Sequence, residues 1–338
     1  MTVPLESRRI VIAGASSLLG TELKSLLEES RFAACDFRLV DEGTLAGTLT
    51  EAGGEAALIQ PVEEDSFDKA WVVFFAGSPA FTKANLALAG RSGAKIVDLS
   101  GELAGQPDVA AWLPKVSGTS TNSAKVFAIP SASAEIVARI TIALGSLKPS
   151  AISAVAFQPV SAADKSGIEE LESQTGQLLS FQPVGKQVFD AQVAYSMLDR
   201  FGPSSNHPLS ASLAALRREV QALLPPAAKS PAIQLLHAPV FYGATVTLCV
   251  FPDANADTSN VGKLCADFGF TLTDDSNAPS NVSSAGEITL QLASPMPDSA
   301  AHGAFWFWAA ADNLRLPASN AVKLAESLLE QAPASAGA

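Results

Sequence analysis

Short apolar runs alternate with helical patterns over the first third of the chain, and this alternation restricts the fold more than any other feature. The runs at residues 9–14, 37–41, 71–76 and 95–99 are rich in Val, Ile, Leu and Phe, as buried strands are. Leucines and alanines recur at helical spacing between them. Strands separated by helices pair in parallel through crossover connections. The first domain is therefore predicted to be α/β, with a Rossmann-type, doubly wound parallel sheet covered on both faces.

The pattern changes in the second half of the chain. Residues 245–250 and 287–292 alternate strictly between polar and apolar side chains, which is typical of an antiparallel sheet with one face on a core. Residues 305–308, Phe-Trp-Phe-Trp, are aromatic on both faces, which predicts that this strand is fully buried or lies at an interface. A last helix is expected over 320–329. The second domain is therefore predicted to be of the α+β type.

Composition and charge exclude several classes of partner. The chain has 338 residues, of which 48% are hydrophobic and 17% are charged, so it is long enough for two domains with large cores. Its 22 basic and 34 acidic residues give a net charge of −12, and no cluster of Lys and Arg is longer than two residues. An acidic surface without a basic patch repels nucleic acid and anionic membranes alike. We expect neither partner.

Cysteine and histidine content gives no indication of a metal site or a disulfide framework. Cys35, Cys249 and Cys265 are too few and too far apart for either, and the three histidines are scattered. The N-terminal residues lack the layout of a signal peptide. No segment approaches the roughly 18 consecutive apolar residues that span a bilayer. A cytoplasmic protein without a bound metal is expected.

A glycine turn connects the first predicted strand to the first helix. Gly14 and Gly20 enclose it, which is where a dinucleotide fingerprint lies, since the pyrophosphate needs close backbone approach and free N–H groups. The middle position is Ser17, whose Cβ is expected to crowd a phosphate. Asp41 ends the second strand, at the place of a ribose-binding carboxylate, and no Lys or Arg follows before residue 60. Weak binding of NAD in preference to NADP is predicted; the alternative is an ordinary corner that binds nothing.

Six short motifs follow one another over nearly the whole chain. In this order they resemble the aspartate-semialdehyde dehydrogenase family, which serves amino-acid biosynthesis, and in particular its degenerate Usg-type paralogues. Each motif alone is weak, but the six in order strongly indicate the family. They are IAGASSLLG at 12–20, FAGS at 75–78, VDLS at 97–100, FQPVS at 157–161, PVFYG at 239–243 and ADNLR at 311–315.

The resemblance implies the domain organisation, the cofactor and the assembly. An NAD(P)-binding domain over 1–132 is completed by a C-terminal helix over 312–330, a dimerisation and substrate domain spans 133–311, and 331–338 form a flexible tail. The protein is expected to form a homodimer and to use NAD or NADP, weakly if at all. The implied cofactor-binding residues are Gly14, Ser16, Ser17, Leu18, Leu19, Gly20, Asp41, Gly77 and Asn313.

The family's chemistry requires side chains that this chain lacks. In the family a cysteine thiolate attacks the aldehyde, a histidine transfers protons and two arginines hold the substrate's anionic groups. The resemblance places Ala132 at the cysteine and Ala244 at the histidine, with Ala104 and His237 at the two arginines. Gln158, which orients the intermediate in the family, survives, as do Asp312 and Asn313 near the nicotinamide. No intact catalytic residue is therefore expected.

Other residues offer weaker candidates. Ser131 and Ser133 flank the position of the lost thiol, but a serine nucleophile needs a base, and capping of the following helix is the expected role. His237 is either a contact for an anionic ligand or a buried histidine with a satisfied hydrogen bond. Two hypotheses remain. In the first, the chain is a pseudoenzyme, that is, a non-catalytic dimeric paralogue that binds a small anionic metabolite. In the second, it is an active NAD(P)-dependent oxidoreductase that acts on an aldehyde or oxo group by a changed mechanism.

Overall fold

Two compact units make up the chain. The computed structural model describes residues 5–43, 47, 49–52, 55–116, 124–253, 258–274 and 276–331. The first unit consists of the residues up to Pro130 together with those from Pro317 onward, and the second is Ser131–Leu316. Each unit has its own sheet and its own hydrophobic cores. Of the expected tail, residues 332–338 lie outside the described residues.

The first unit is built on a seven-stranded sheet in which all neighbouring strands are parallel. Its elements are β1 (Arg9–Ala13), α1 (Leu18–Glu28), β2 (Asp36–Asp41), β3 (Leu49–Ala52), β4 (Glu55–Leu58), β5 (Gln60–Pro61), β6 (Ala70–Phe75), α2 (Pro79–Arg91), β7 (Lys95–Asp98), β8 (Val109–Ala111) and β9 (Val126–Ala128). The strand order is β5-β2-β1-β6-β7-β9-β8, and β3 and β4 form a separate antiparallel pair.

Both faces of this parallel sheet are covered. Ile10 and Ile12 of β1 lie in one core together with Leu23 of α1, whereas Val11 lies in the other core together with Phe81 of α2. Successive residues of a strand point to opposite faces, so a strand that is apolar throughout requires helices on both sides. The α/β class with a doubly wound parallel sheet is confirmed.

The second unit contains a six-stranded sheet with one short additional strand. Its helices are α3 (Ala132–Ala143), α4 (Asp164–Leu179), α5 (Leu209–Leu223) and α6 (Thr258–Asp267). Its strands are β10 (Ala151–Gln158), β11 (Ala232–His237), β12 (Ala244–Phe251), β13 (Phe270–Thr273), β14 (Leu290–Ala293), β15 (Met296–Pro297) and β16 (Phe305–Ala311). The order is β11-β10-β12-β16-β14-β13, and β15 pairs with β16.

This sheet is mixed, so the expectation of an antiparallel sheet is wrong at two pairs. β10 and β12, β12 and β16, and β14 and β16 are antiparallel, but β10 pairs with β11 and β13 with β14 in parallel. The helices α4 and α5 separate β10 from β11 along the chain, and a helical connection of that length allows the chain to return and pair in parallel. One-sided alternation identified the strands but not their directions.

The strand expected over 287–292 begins later than its alternation suggests. β14 starts at Leu290, and the preceding Ile288 is 44% exposed. The backbone N–H of Gly286 donates to the Asp312 carboxylate, and that of Glu287 donates to the Ser284 carbonyl. These bonds hold the chain in a turn, so the ladder cannot include residues 287–289.

The two faces of the mixed sheet differ in their coverage. Phe305 and Phe307 of β16 lie in a core with residues of α3, α5 and α6. Trp306 points away from that core and is 40% exposed, and Trp308 is half-buried with its ring 6.0 Å from that of Phe157. The aromatic run is therefore divided between a packed face and an open one.

The final helix, α7 (Arg315–Glu330), begins five residues before the expected 320–329. The Asp312 Oδ1 atom accepts hydrogen bonds from the backbone N–H groups of Leu314 and Arg315, both at 2.8 Å, and so caps the helix N-terminus. From Ala318 onward the buried face of α7 lies in the same core as Ile10 of β1. Both ends of the chain therefore contribute to the first unit.

Candidate functional site

Close backbone packing defines the glycine turn after β1. Gly14 has a φ of +88°, a conformation that favours glycine. A Cβ at Gly14 would lie 2.2 Å from the backbone nitrogen of Gly77, and one at Gly20 would lie 2.2 Å from the Gly14 carbonyl oxygen. Side chains are therefore excluded at Gly14 and Gly20. Such a turn, directly before a helix N-terminus, is the cradle that a pyrophosphate requires.

Ser17 is the N-cap of α1, a role that the sequence reasoning missed. Its hydroxyl accepts a hydrogen bond from the Gly20 N–H and donates to the carbonyl of Ala76, each at 2.8 Å. Leu18 and Leu19 are the first two residues of the helix. A serine directly before periodic leucines is a sequence indication of a cap. Crowding of a phosphate by the Ser17 Cβ stays a prediction.

Asp41 is buried at the end of β2 and is fully engaged by its neighbours. Its Oδ2 atom accepts from the backbone N–H of Ser16 at 2.8 Å and from the Ser16 hydroxyl at 2.6 Å, and its Oδ1 atom accepts from the Glu42 N–H at 2.8 Å. The pairing with Ser16 was not foreseen. Asp41 borders an open groove of about 390 Å³. The groove is also lined by Glu42, Gly43, Val62, Phe81 and Asn85.

The loop after β7 is organised by a second buried carboxylate. Asp98 is fully buried and accepts from the N–H and hydroxyl of Ser100 and from the N–H of Leu103. Burial raises the pKa of Asp98, and the hydrogen bonds from Ser100 and Leu103 only partly offset this. Ala104 follows directly and is 4% exposed. The position that the family resemblance assigns to an arginine is therefore a buried methyl group.

In the second unit, Ala132 is the first residue of α3 and is 1% exposed. The preceding Ser131 is exposed and caps this helix, since its hydroxyl accepts from the Ala134 N–H. The same hydroxyl donates to Oε2 of the buried Glu219 at 2.5 Å, and the Ser131 N–H donates to the same oxygen at 3.1 Å. Capping was expected. The carboxylate was missed, because Glu219 lies 88 residues away on α5.

Ala244 is the first residue of β12 and is 2% exposed. The Gly243 before it has a φ of +88°, and a Cβ there would lie 2.7 Å from the Cα of Asn281. The Gly243 N–H donates to Oδ1 of Asn313 at 2.7 Å, and Nδ2 of Asn313 donates to the Ser161 hydroxyl at 3.0 Å. The amide of Asn313, an expected cofactor ligand, therefore ties two loops of this unit together.

Gln158 is the last residue of β10 and is half-buried. Its backbone carbonyl accepts from the Ala238 N–H at 3.0 Å. Within the described part of the chain, its side-chain amide forms no hydrogen bond. The side-chain N–H and carbonyl groups of Gln158 are therefore available to bind a ligand.

His237 lies inside the second unit with 1% of its surface exposed. Its Nε2 atom is 3.2 Å from the Val193 carbonyl oxygen, and the rings of Phe189 and Phe201 pack around it. Burial lowers the pKa of His237, and the hydrogen bond to Val193 opposes this only in part. A buried, neutral imidazole favours the second of the two alternatives for this residue, the satisfied core histidine.

Among the residues that the structure describes, the cysteines form no reactive or metal-binding centre. Cys35, Cys249 and Cys265 are buried free thiols, and burial raises the pKa of Cys265 to about 12. Over the residues that the structure describes, no three His, Cys, Asp or Glu side chains are placed to hold a metal ion. None of the helices in that part of the chain combines the length and apolar character needed to cross a membrane.

Comparisons with known proteins agree with this architecture. The semialdehyde dehydrogenase NAD-binding domain model matches residues 9–124, and the semialdehyde dehydrogenase dimerisation domain model matches residues 142–316. A USG-1 protein homologue of Azotobacter vinelandii is 29% identical, with 95% of this chain and 98% of that protein covered. Aspartate-semialdehyde dehydrogenase 2 of Vibrio cholerae is 24% identical, with coverages of 95% and 97%.

A solved structure shares nearly the whole fold. It is that of a probable aspartate-semialdehyde dehydrogenase from Pseudomonas aeruginosa, with a TM-score of 0.85, 25% identity, and 96% of this chain and 99% of that chain covered. The dimerisation-domain match alone spans more than half of the chain. The chain therefore belongs to the semialdehyde dehydrogenase family.

Proposed function

We propose that this chain is a non-catalytic, dimeric paralogue within its family. The observation that carries the proposal is the pair of buried methyl groups at Ala132 and Ala244, where the family resemblance implies a thiol and an imidazole. A methyl group neither attacks a carbonyl nor transfers a proton. The position of Ala132 at the N-terminus of α3 supports this correspondence, because a helix N-terminus is where a thiol pKa is lowered.

The residues at the family's substrate-binding positions also support a non-catalytic role. Ala104 offers no charge, and His237 is buried and bonded to a carbonyl oxygen, so neither provides the paired donors with which arginine holds a carboxylate or phosphate. The free amide of Gln158 supports the binding of a small anionic metabolite without its chemical conversion. Such a ligand would be held by hydrogen bonds rather than by full charges.

The first unit has the residues to bind a dinucleotide, but we expect the affinity to be low. The backbone cradle at Gly14, Gly20 and Gly77 would hold the pyrophosphate, and Asp41 would hold a ribose. A bound nicotinamide would supply hydride transfer. The ribose would have to displace the two Ser16 hydrogen bonds from Oδ2 of Asp41 or share that oxygen with them, which supports weak binding. Glu42 beside Asp41 adds a second carboxylate that repels a 2′-phosphate.

A calorimetric titration with NAD and NADP tests this site. We expect weak binding of NAD and weaker binding of NADP. Glu42→Gln removes one repelling charge without touching the pair of Ser16 and Asp41, so the preference for NAD should fall by about fivefold, the equivalent of one charge pair in water. Glu172→Gln, an exposed position on α4, is the control and should change nothing. NADP binding that is tight and stronger than that of NAD would contradict the assignment.

A homodimer formed through the second unit completes the proposal. The dimerisation-domain match and the open sheet face at Trp306 support it. We also retain the division into 1–132, 133–311 and a returning helix over 312–330 as a proposal. The boundaries of the compact units along the chain, after Pro130 and after Leu316, support this division. A cytoplasmic location stays a prediction.

The direct test is turnover of aspartate semialdehyde. Reduced dinucleotide is measured with aspartate semialdehyde, phosphate and NAD or NADP, with an active homologue assayed in parallel. We expect no turnover above background, since loss of a nucleophile and base unit removes on the order of a millionfold in rate. Turnover within about a thousandfold of the homologue would overturn the proposal. It would favour the alternative, an active oxidoreductase with another nucleophile, for which Ser131 is the group that the structure offers.

A further inference from the structure

An exposed hydroxyl and a buried carboxylate meet at the start of α3. Ser131 is exposed, and its Oγ atom lies 2.5 Å from Oε2 of Glu219, which is 6% exposed. The Ser131 N–H donates to the same oxygen at 3.1 Å. Two bonds from one residue to one oxygen fix the carboxylate relative to the hydroxyl. The hydroxyl therefore combines access from solvent with a base at hydrogen-bond distance.

This pair has the two properties that an activated serine requires. A serine hydroxyl is a weak nucleophile unless an adjacent base takes its proton during attack. A carboxylate that is largely withdrawn from water is less well solvated, and its interaction with a proton donor is stronger than at the surface. A candidate base for Ser131, which the sequence analysis did not find, therefore lies on α5 and not on the loop that leads to Ala244.

The backbone beside Ser131 offers donors for developing negative charge. The N–H groups of Ala132 and Ser133 belong to the first turn of α3, which leaves such groups without acceptors inside the helix. Nor does either group donate to any other atom in the part of the chain that the structure describes. Free N–H groups next to a nucleophile are the usual means of stabilising an oxyanion.

We propose that Ser131 is a nucleophile, activated by Glu219, that accepts acyl groups from activated esters. The Ser131 oxygen attacks the ester carbonyl carbon while its proton passes to the Glu219 carboxylate. The carbon–oxygen bond to the alcohol breaks, and the alcohol leaves with that proton, so that an acyl-serine remains. Water then attacks the acyl group with Glu219 as base, releases the acid and restores the hydroxyl. No oxidation occurs and no dinucleotide is consumed.

The experiment uses p-nitrophenyl acetate and the full-length protein. Release of p-nitrophenolate is followed, and the acetylated residue is identified by peptide mass spectrometry after rapid acid quenching. We expect acetyl on Ser131. Glu219→Gln should lower the acylation rate about a hundredfold, as expected for loss of a general base. Ser210→Ala, which removes an exposed hydroxyl elsewhere in the second unit, is the control and should leave rate and labelling unchanged.

A second variant separates nucleophile from helix cap. Ser131→Asn keeps a good N-cap residue but removes the hydroxyl, so it should unfold at nearly the wild-type temperature while losing the acetyl label. Absence of acetyl on Ser131 in the wild type overturns the proposal, whatever the variants do. Equal acylation of the wild type and Glu219→Gln also overturns it and leaves Ser131 as a cap alone. The proposed function excludes only the family's dinucleotide-dependent oxidation of an aldehyde. Formation of reduced dinucleotide measures that reaction separately, so this proposal and the proposed loss of that reaction can fail independently.

Discussion

Position 132 lies at the N-terminus of helix α3, where the partial positive charge of the helix dipole is greatest. The helix begins at this residue, and the capping hydrogen bond of Ser131 holds its first turn in place. Partial positive charge at a helix N-terminus favours a thiolate over a thiol. The proposed correspondence of Ala132 with the family's thiol therefore puts a methyl group where a helix N-terminus would lower the pKa of a thiol.

Restoring two residues should not restore the reaction. Ala132→Cys with Ala244→His reinstates a thiol and an imidazole, yet we expect turnover of aspartate semialdehyde below about a thousandth of that of an active homologue, because effects within a catalytic unit are not additive. Reduced dinucleotide formation measures this, and alkylation of the introduced thiol shows that it is reactive. A rate close to the homologue's would mean that the substrate arginines are dispensable.

The arginine positions explain why that repair is difficult. Ala104→Arg and His237→Arg complete the smallest set of changes that we expect to matter. Both sites are buried, with exposures of 4% and 1%. An arginine in either place would carry an unpaired charge into the interior, which is costly. Both positions are thus surrounded by packed protein, which accounts for the small gain that we expect from the repair.

His237 should make stability depend on pH. Burial lowers its pKa, so the unfolded chain binds a proton that the folded chain does not. The free energy of unfolding should therefore fall as the pH falls through the ordinary histidine pKa of about 6.5. Urea denaturation over about pH 5 to 8 measures this. His237→Gln should reduce the slope, to which His207 also contributes because burial lowers its pKa. His302→Gln, at an exposed position, should leave the slope unchanged.

Asp98 should also make the free energy of unfolding depend on pH, so the wild type must be compared with the histidine variants. Burial raises the pKa of Asp98, so the folded chain holds this proton more tightly than the unfolded chain does. Its contribution to stability is present below the ordinary aspartate pKa and is lost as the pH rises towards the raised one. The slope from Asp98 is thus opposite in sign to that from His237. An unchanged profile in His237→Gln would show that the imidazole is not the group responsible.

At the scale of elements, the close contact between α1 and the turn before it requires that position 20 carries no side chain. Gly20→Ala places a methyl 2.2 Å from the Gly14 carbonyl oxygen, and we expect the free energy of unfolding to fall by about 1–3 kcal/mol. Gly90→Ala is the matched control. It also lies in a helix, α2, but a Cβ there meets nothing within 4 Å.

The control should move in the opposite direction. Replacing a glycine by alanine in an unobstructed helical position stabilises by roughly 0.5–1 kcal/mol. Chemical denaturation of both variants gives the two values. Equal effects would show that the close approach at Gly20 is not needed, and any retained dinucleotide binding in Gly20→Ala would argue against a pyrophosphate cradle at this turn.

Local patterns predicted elements well and predicted contacts poorly. β1 and β7 were identified because their apolar runs are short and end at turn residues, and Gly14 and Gly20 because a tight turn leaves few alternatives. The alternation at 287–292 misled, because Gly286 is held by a carboxylate from a distant segment. The pair of Ser131 and Glu219 joins residues 88 positions apart, and no spacing along one chain indicates a partner that only tertiary packing supplies.

For the whole molecule, the open face of the mixed sheet predicts association. Trp306 is 40% exposed and the neighbouring Met296 is 62% exposed, and apolar groups of this size on one sheet face are usually covered by a partner. We expect a dimer at micromolar concentration by light scattering. Trp306→Asp should yield monomers, because it would place a charge inside the interface. Val282→Asp, at a position that is 76% exposed outside the strands, should remain dimeric. A wild-type monomer would contradict the assignment.

The position of α7 in the first unit sets an order for biosynthesis. The core that contains β1 also contains four residues of α7, namely Ala318, Ala321, Leu324 and Ala325. The core around β1 is therefore complete only after α7 has been synthesised. The second unit is continuous from Ser131 to Leu316 and can complete its folding first, as domains generally do during synthesis. Until α7 has been synthesised, the core residues that pack against it stay uncovered. A premature stop before residue 315 would leave those residues uncovered for the lifetime of the polypeptide.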